Sequence, residues 1–372
     1  MESTMSRKER LLVNAIDVEQ EYKVIGLDLA KNDTSCVCIA DSGEIIAIDR
    51  LSYSDLLEAA ERLSPTIFAM EPCNGMHWLV NQLQDYGHEC RVISGRAVQQ
   101  YIESHFGKQK TDLNDAQAIA YLALDEMLRS IRAKTPSEMS IQALQAIRTQ
   151  LTKQKVASIV CFKSMCQSYG ISIGKNKSSV VDFISLLEET SKIPDEVKEA
   201  LKMLIANYKV LRTRISKIDK VLEKIVVTNP TGKRLKDIPS FGVQCAARLL
   251  TIAPNIKDFK GPKDLVAYCG LVPRNITTGH IQKTAGITKR GDKLMRRNVV
   301  QAANVLYCKN KHGQLQSCKL KRWMDKKLKI LPYPKFIIQL AAKLLRIAYA
   351  VMRDGTEFDY ARAGVARSAL KS

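Results

Sequence analysis

The sequence predicts an α/β domain at the N-terminus followed by a mostly helical chain, and three observations support this prediction. Alternating short strands and helices occupy roughly the first third of the 372 residues. A heptad pattern of apolar residues runs through the middle of the chain, and amphipathic helical sequence continues to Met352. At roughly 150 residues per domain, the chain has room for two or three domains.

The first three strands are predicted to form an antiparallel meander. Apolar runs at 22–29, 34–40 and 45–51 are separated by short polar turns, which is typical of strands that follow one another in a sheet. After residue 51 the period of the apolar residues becomes helical. This change marks the end of the meander.

Helices and strands then alternate. Helices are predicted at 54–63 and 76–86, strands at 66–70 and 89–93, and further helical sequence from 95 to 128. The resulting order, βββαβαβα, is the order of the ribonuclease H-like fold, with the later strands joined by crossover helices.

A heptad seam follows in the middle of the chain. It begins after Pro194, ends before Pro230 and alternates steps of four and three residues. Its members are Val197, Leu201, Leu204, Tyr208, Leu211, Ile215, Ile218, Leu222 and Ile225. A helix at 137–169 is the expected antiparallel partner across a polar loop at 170–179. Two interpretations stay open: a hairpin within one chain, or, as we favour, a hairpin that also pairs between protomers.

The basic charge is confined to the C-terminal part. The chain has 58 Lys and Arg against 38 Asp and Glu. Residues 1–230 carry 29 basic and 30 acidic side chains, whereas residues 231–372 carry 29 basic and 8 acidic, a net charge of +21. Such a field indicates a polyanionic partner, and nucleic acid is the commonest soluble one.

The basic part opens with a turn between two helices that contains Pro239 and Gly242. It resembles a helix-hairpin-helix DNA-binding element, with Ser240 at the position where a second glycine is usual. Backbone N–H groups at the start of the second helix suit a phosphate. A loop at 271–284, a turn at 289–292 and helices to Met352 are expected to follow.

Four carboxylates are placed to act together. Asp28 is near the end of the first strand among apolar neighbours, and Glu71 directly follows the strand predicted to lie beside it. Asp112 and Asp115 are three residues apart and therefore share one helix face. Because four like charges at one edge of a sheet repel one another, the arrangement predicts an oxygen-ligated divalent cation, Mg²⁺ or Mn²⁺.

These motifs resemble those of a known family. Gly26-Leu27-Asp28, Ala69-Met70-Glu71-Pro72 and the segment 110–116 are similar to the RuvC-like DEDD domain of insertion-sequence transposases of the "one-ten" and "eleven-eleven" groups. Gly270-Leu271-Val272-Pro273-Arg274, Thr278-Gly279 and the segment 287–292 resemble that family's C-terminal transposase motif. The resemblance covers about residues 22–306.

The resemblance implies a recombinase that a structured guide RNA directs to element and target DNA, acting as a dimer or tetramer. It also implies that a serine hydroxyl attacks the DNA backbone and forms a covalent phosphoserine. Thr278 stands at that serine's position, and its hydroxyl has the same chemistry with an added methyl group. Cations expected to hold nucleic acid are Lys110, Arg274, Lys283, Lys289, Arg290, Lys293, Arg296 and Arg297.

The expected organisation has five segments. They are a tail at 1–20, a RuvC-like catalytic domain at 21–135, a helical hairpin at 136–229, a C-terminal transposase domain at 230–352 and a tail at 353–372. Neither a signal peptide nor a membrane span is expected, and the ten cysteines fit a reduced, cytoplasmic protein.

Two alternatives remain open. One is a DNA invertase or Holliday-junction-resolving nuclease on the same scaffold, which the four carboxylates alone would also fit. The other is a catalytically impaired nucleic-acid-binding scaffold in which Thr278 marks a lost nucleophile.

Overall fold

The structure, a computed structural model, describes residues 11–107, 111–173, 180–278, 281–315 and 319–359. The chain divides into two compact units whose boundary lies between Met139 and Ser140. The first unit is mixed α/β and the second is mostly helical.

Six strands form the sheet of the first unit. They are β1 (Leu11–Leu12), β2 (Tyr22–Leu29), β3 (Asp33–Ala40), β4 (Ile45–Ser52), β5 (Ile67–Met70) and β6 (Glu89–Val92). Their spatial order is β1-β4-β3-β2-β5-β6. The meander β2-β3-β4 is antiparallel, whereas β5 and β6 run parallel to β2.

Four helices accompany the sheet: α1 (Tyr53–Arg62), α2 (Met76–Asp85), α3 (Gly95–His105) and α4 (Asp112–Ala123). Side-chain oxygens of Ser52, Ser94 and Thr111 cap α1, α3 and α4 by accepting backbone N–H bonds. The predicted order βββαβαβα is confirmed. One strand was missed: Leu11–Leu12, placed in a tail from the sequence, pairs with β4 in parallel.

The sheet buries both of its faces. Ile25 and Leu27 of β2 pack with Leu56 of α1 and Leu79 of α2 in one cluster. Val24 packs on the other face in a cluster with helices α3 and α4. From Val24 onward, alternate residues of β2 therefore face opposite layers, and the even-numbered ones face α4.

The second unit contains most of the helices. They are α5 (Pro136–Ser168), α6 (Val180–Glu189), α7 (Asp195–Thr228), α8 (Pro230–Lys236), α9 (Gly242–Ile252), α10 (Pro262–Tyr268), α11 (Lys293–Lys311), α12 (Lys319–Leu328) and α13 (Tyr333–Asp354). Helix α5 begins just before the boundary between the units. Within the described residues, no helix is long and apolar enough to cross a membrane.

Helices α5 and α7 pack antiparallel as predicted, but helix α6, which was not predicted, lies between them in the sequence. Phe162 near the end of α5 packs with Leu201 near the start of α7, and Ile141 near the start of α5 shares a cluster with Leu222. All nine residues of the predicted seam are buried or half-buried within the single chain. Packing inside one chain therefore covers the seam.

One predicted loop is a β-hairpin. Residues 271–284 were expected to be irregular, but β7 (Pro273–Thr278) and β8 (Ile281–Ile287) pair as antiparallel strands. The segment Pro273–Ile287 carries many polar residues and lacks the regular apolar alternation by which strands are recognised. The expectation of a loop was wrong for this reason.

Candidate active site

Asp28 and Glu71 are neighbours at one edge of the sheet. In the parallel register of β2 and β5, Leu27 pairs with Met70, so Asp28 and Glu71 follow on adjacent strands. Both are half-buried. Asp28 continues the even-numbered side of β2, and Glu71 continues the side of Ala69, which packs with α3 and α4. The two residues thus lie in the layer of those helices.

Glu71 also lies against the start of helix α3. A β-carbon placed on Gly95, the first residue of α3, would be 3.0 Å from Oε2 of Glu71. A side chain on residue 95 would require the carboxylate to shift by a few tenths of an ångström. The N-terminus of a helix carries partial positive charge, which favours a carboxylate there. The sequence analysis identified residue 95 only as the beginning of a helical stretch.

The first turn of α4 carries the other two carboxylates. The hydroxyl of Thr111 accepts a hydrogen bond from the backbone N–H of Asn114 at 3.2 Å, which begins the helix. Asp112 is exposed, whereas Asp115 is 6% exposed. Their spacing on one helix is confirmed.

Helix α4 lies directly on β2 at Gly26. A β-carbon there would be 2.3 Å from the carbonyl oxygen of Ala116 and 2.7 Å from Cβ of Ala120. The later part of α4 packs near Val24, at the beginning of β2. The first turn, with Asp112 and Asp115, therefore points toward the end of β2 where Asp28 lies.

The structure thus places Asp28 beside Glu71, and helix α4, whose first turn carries Asp112 and Asp115, lies on the same face of the sheet. Within the described residues, however, no three Asp, Glu, His or Cys side chains converge closely enough to hold a metal ion. A single four-carboxylate metal site stays a prediction.

Two aromatic residues that sequence reasoning missed stand beside this edge. The Tyr53 hydroxyl donates to the carbonyl of Ala30 at 2.7 Å, and its ring meets Trp78 edge-on with centroids 6.0 Å apart. Burial, with smaller contributions from nearby acidic groups that include Asp28, raises the pKa of Tyr53 above its ordinary value. Trp78 remains 44% exposed.

In the second unit, Thr278 is the last residue of β7, and it pairs with Ile281 at the start of β8. Lys283 lies in β8 and pairs with Ile276. Gly279, which completes the Thr278-Gly279 motif, and Lys110 are outside the described residues. The hairpin is the element that carries the candidate nucleophile.

The base of this hairpin is built from the other parts of the C-terminal motif. Gly270 and Gly291 both have positive φ, 66° and 78°. A β-carbon on Gly270 would be 2.1 Å from the carbonyl oxygen of Arg290, and one on Gly291 would be 1.9 Å from that of Tyr268. The two glycines let the segments before and after the hairpin approach each other closely.

Asp292 and Arg296 also make structural contacts at the base of the β7–β8 hairpin. Asp292 caps α11 by accepting the N–H of Met295 at 2.6 Å and is ion-paired with Arg248. Nη1 of Arg296 donates to the carbonyls of Cys269 at 3.0 Å and of Arg290 at 3.2 Å. The Arg248 partner was not visible in the sequence, since it is separated from Asp292 by 44 positions.

The remaining described cations of this group are exposed. They are Arg274, Lys289, Arg290, Lys293 and Arg297. Nη2 of Arg297 also donates to the hydroxyl of Thr149 at 3.3 Å. Exposed cations of this kind are free to reach phosphate oxygens.

The turn before α9 has the conformation that a second glycine would suit. Ser240 has φ of 61° and Gly242 has φ of 66°. A non-glycine residue in the left-handed region is uncommon. The predicted turn between two helices, α8 and α9, is confirmed.

Comparisons with known proteins agree with these motifs. A DEDD transposase family model named for IS110 matches residues 25–170, and a model described as "Transposase IS116/IS110/IS902 family" matches residues 232–317. The first match contains the four carboxylates, and the second contains Thr278.

Similar curated proteins extend over most of the chain. The transposase for insertion sequence element IS1328 of Yersinia enterocolitica is 29% identical over 90% of this chain and 98% of its own. The transposase for insertion sequence element IS1111A of Coxiella burnetii is 25% identical over 90% of both. The pilin gene-inverting protein of Moraxella bovis is 23% identical over 90% of this chain and 97% of its own. The chain belongs to the IS110/IS1111 family of insertion sequence transposases, enzymes that act on DNA.

Proposed function

We propose that the chain cuts and rejoins DNA at the ends of an insertion sequence with two sets of groups. The first set is the four carboxylates Asp28, Glu71, Asp112 and Asp115, and the second is the Thr278 hydroxyl. The observation that carries the proposal is the placement of Asp28 beside Glu71 at the sheet edge toward which the first turn of α4 points. The order and pairing of the strands support a RuvC-like, ribonuclease H-like fold for this unit.

The donor set fits a hard divalent cation. All four residues offer carboxylate oxygens, which Mg²⁺ and Mn²⁺ prefer. A bound divalent cation supplies charge neutralisation and Lewis acidity toward a phosphodiester. Glu71 is held against the start of α3, so its carboxylate is already positioned at the sheet edge.

Thr278 is the proposed nucleophile. Attack by its hydroxyl oxygen on a phosphodiester forms a phosphothreonine ester and breaks the bond between phosphorus and one sugar oxygen. That oxygen leaves as a hydroxyl and takes up the proton that Thr278 loses. The exchange of one ester for another conserves the bond energy needed for rejoining.

The basic cations of the second unit hold the substrate in this proposal. Five exposed cations lie close to the base of the β7–β8 hairpin in the sequence: Arg274, Lys289, Arg290, Lys293 and Arg297. Lys110, Lys283 and Arg296 complete the set. Contacts to phosphate position DNA without selecting its sequence. A structured guide RNA supplies the selection by base pairing, and the protein acts as a homo-oligomer.

A second function has its own support. The name of the Moraxella relative states that it inverts a pilin gene, and its similarity extends over 90% of this chain. Inversion and transposition both require strands to be cut and rejoined at two sites. A DNA invertase is therefore the second candidate.

Recombination of defined DNA substrates tests the proposal. Full-length protein is incubated with Mg²⁺, transcribed RNA from the DNA that flanks its gene, and a plasmid carrying the element ends. We expect joined element-target products that require the RNA and disappear with Asp28→Asn. Products formed equally well without RNA would refute guidance, and inversion of a flanked segment without insertion would favour the invertase.

A further inference from the structure

The outward face of α7 carries a row of basic side chains that the functions above do not use. Six exposed residues share this face and enclose a shallow groove: Lys209, Arg212, Thr213, Ser216, Lys217 and Lys220. They recur at steps of three and four residues, so they lie on one side of the helix. Leu211 and Ile215 of the same turns are buried on the opposite side. We call these six residues the α7 basic stripe.

Nearby acidic groups do not neutralise the stripe. Asp219 is the only acidic residue between positions 209 and 220. Its carboxylate accepts two hydrogen bonds from Arg148, at 2.6 and 3.2 Å, and one from Nε2 of Gln244 at 2.8 Å. Glu223, one turn later, is paired with Lys236 at 2.5 Å. Both carboxylates are thus engaged elsewhere.

The beginning of the same helix is organised differently. Nζ of Lys198 lies 3.2 Å from Asp195, and Nζ of Lys202 lies 2.6 Å from Glu199. By contrast, none of the four cations of the stripe forms an ion pair with any residue that the structure describes. The lysines at the beginning of the helix are thus paired, whereas the four cations of the stripe keep a positive charge that a partner can neutralise.

We propose that the α7 basic stripe binds the phosphate backbone of duplex DNA. From Lys209 to Lys220 the helix rises by about 16 Å, at about 1.5 Å per residue. Duplex DNA carries one phosphate per roughly 1.7 Å of its axis, so each of the four cations has phosphates within reach over that length. Thr213 and Ser216 place hydroxyl donors between the cations, as backbone-contacting surfaces commonly do.

The proposal extends the DNA-binding surface beyond the basic C-terminal part. The first 230 residues have a net charge near zero, because acidic residues elsewhere in this range cancel the positive charge of the α7 basic stripe. The inference depends on the proposed function only in taking DNA as the partner. It does not depend on Thr278, on a metal or on a guide RNA.

Equilibrium binding of a 30-base-pair duplex of random sequence to the full-length chain tests the proposal. Two double variants of the stripe are compared with the wild type: Lys209→Gln with Arg212→Gln, and Lys217→Gln with Lys220→Gln. Lys198→Gln with Lys202→Gln is the matched control, because it removes two positive charges from the same helix where they are already paired. Circular dichroism and thermal unfolding verify that all three remain folded.

Each stripe variant is expected to weaken binding by roughly 10- to 30-fold at 0.15 M salt. The slope of log affinity against log salt concentration should become shallower by about 2, because each lost phosphate contact removes about 0.9 from it. The control should change affinity by less than about threefold. Equal losses in all three variants would show a general charge effect and overturn the proposal. A loss seen only with a structured RNA probe, at unchanged DNA affinity, would assign the stripe to RNA instead. Because only binding is measured, failure of strand cleavage has no bearing on the result.

Discussion

Glu71 and Gly95 are in contact across the end of the sheet, and a side chain at residue 95 would crowd the Glu71 carboxylate. A β-carbon there would stand 3.0 Å from Oε2 of Glu71, tighter than most β-carbon contacts, so the carboxylate would have to shift by a few tenths of an ångström. The first residue of α3 therefore helps to determine where the Glu71 carboxylate points. In the proposed site Gly95 is a positioning residue, since it acts through Glu71.

Gly95→Ala should reduce DNA cleavage while leaving the fold intact. The added methyl group displaces the Glu71 carboxylate by a few tenths of an ångström or more, and small displacements of catalytic groups are costly. We expect a loss of roughly 10-fold or more in the single-turnover cleavage rate. Thermal unfolding should be nearly unchanged, because alanine is at least as compatible with a helix as glycine.

Gly75→Ala is the matched control for this experiment. Gly75 lies at the start of α2, and a β-carbon there would meet nothing within 4 Å. Its cleavage rate should stay within about twofold of the wild type. An unchanged rate in Gly95→Ala would mean that Glu71 tolerates the displacement, and the positioning role would then be wrong.

Asp292→Ala should destabilise the second unit strongly. Its carboxylate pairs with Arg248, the two side chains are 8% and 14% exposed, and it also caps α11. Removing one member of such a buried pair leaves the other charge uncompensated, at a cost of about 3–5 kcal/mol. The chain has two tryptophans. In a Trp78→Phe background, denaturant unfolding followed by fluorescence reports on Trp323, in the same unit as the pair.

Asp195→Ala provides the comparison, because it removes an ion pair with a fully accessible carboxylate on α7. A change below about 1 kcal/mol is expected there. Similar small effects for both variants would show that the Arg248–Asp292 pair contributes little to the stability of the unit.

Leu211→Asp should destabilise the helical hairpin rather than dissociate protomers. Leu211 is 3% exposed within the single chain, and burial of an unpaired carboxylate adds to the loss of its apolar contacts. A loss of at least about 3 kcal/mol is expected in thermal or denaturant unfolding. Val210→Asp, at a neighbouring residue that is 45% exposed, should be nearly neutral.

Light scattering on the same variants separates the two interpretations of the seam. If Leu211→Asp keeps the unfolding temperature of the wild type while its particle mass falls, the seam joins protomers. All nine seam residues are buried or half-buried inside one chain, which favours the opposite result.

Local patterns were sufficient to predict most of the first unit. Strands β2 to β6 and helices α1 and α2 follow apolar periods of two and 3.6, and each observed bound lies within one residue of the predicted one. Position along those elements was also enough to single out Asp28 and Glu71, since parallel strands end at the same edge. These features depend on short stretches of sequence.

Features that depend on distant residues could not be predicted. The contact between Glu71 and Gly95 requires the placement of α3, and the pairing of Arg248 with Asp292 joins residues 44 positions apart. The β7–β8 hairpin was missed because its residues lack regular apolar alternation. The α7 basic stripe does not show in the net charge of residues 1–230, because acidic residues elsewhere in that range cancel its positive charge.

The Thr278 hydroxyl can be tested as the nucleophile by substitution and by trapping the intermediate. Thr278→Val removes the oxygen and keeps the β-branched shape, so strand cleavage should fall by at least 100-fold with little change in stability. Thr278→Ser keeps the hydroxyl and removes the methyl group, so cleavage should persist or increase. Thr277→Val is the matched control, because the same change is made at the preceding residue of β7.

Denaturing electrophoresis of the reaction with end-labelled DNA should show protein attached to a DNA end, in the wild type and in Thr278→Ser. Mass spectrometry should map the attachment to the peptide that contains residue 278. An adduct on Thr277 would move the nucleophile by one residue. Full activity of Thr278→Val without an adduct would make water the attacking group. An inactive wild type that Thr278→Ser rescues would show that this chain has lost its chemistry through the added methyl group, because the two residues differ in nothing else.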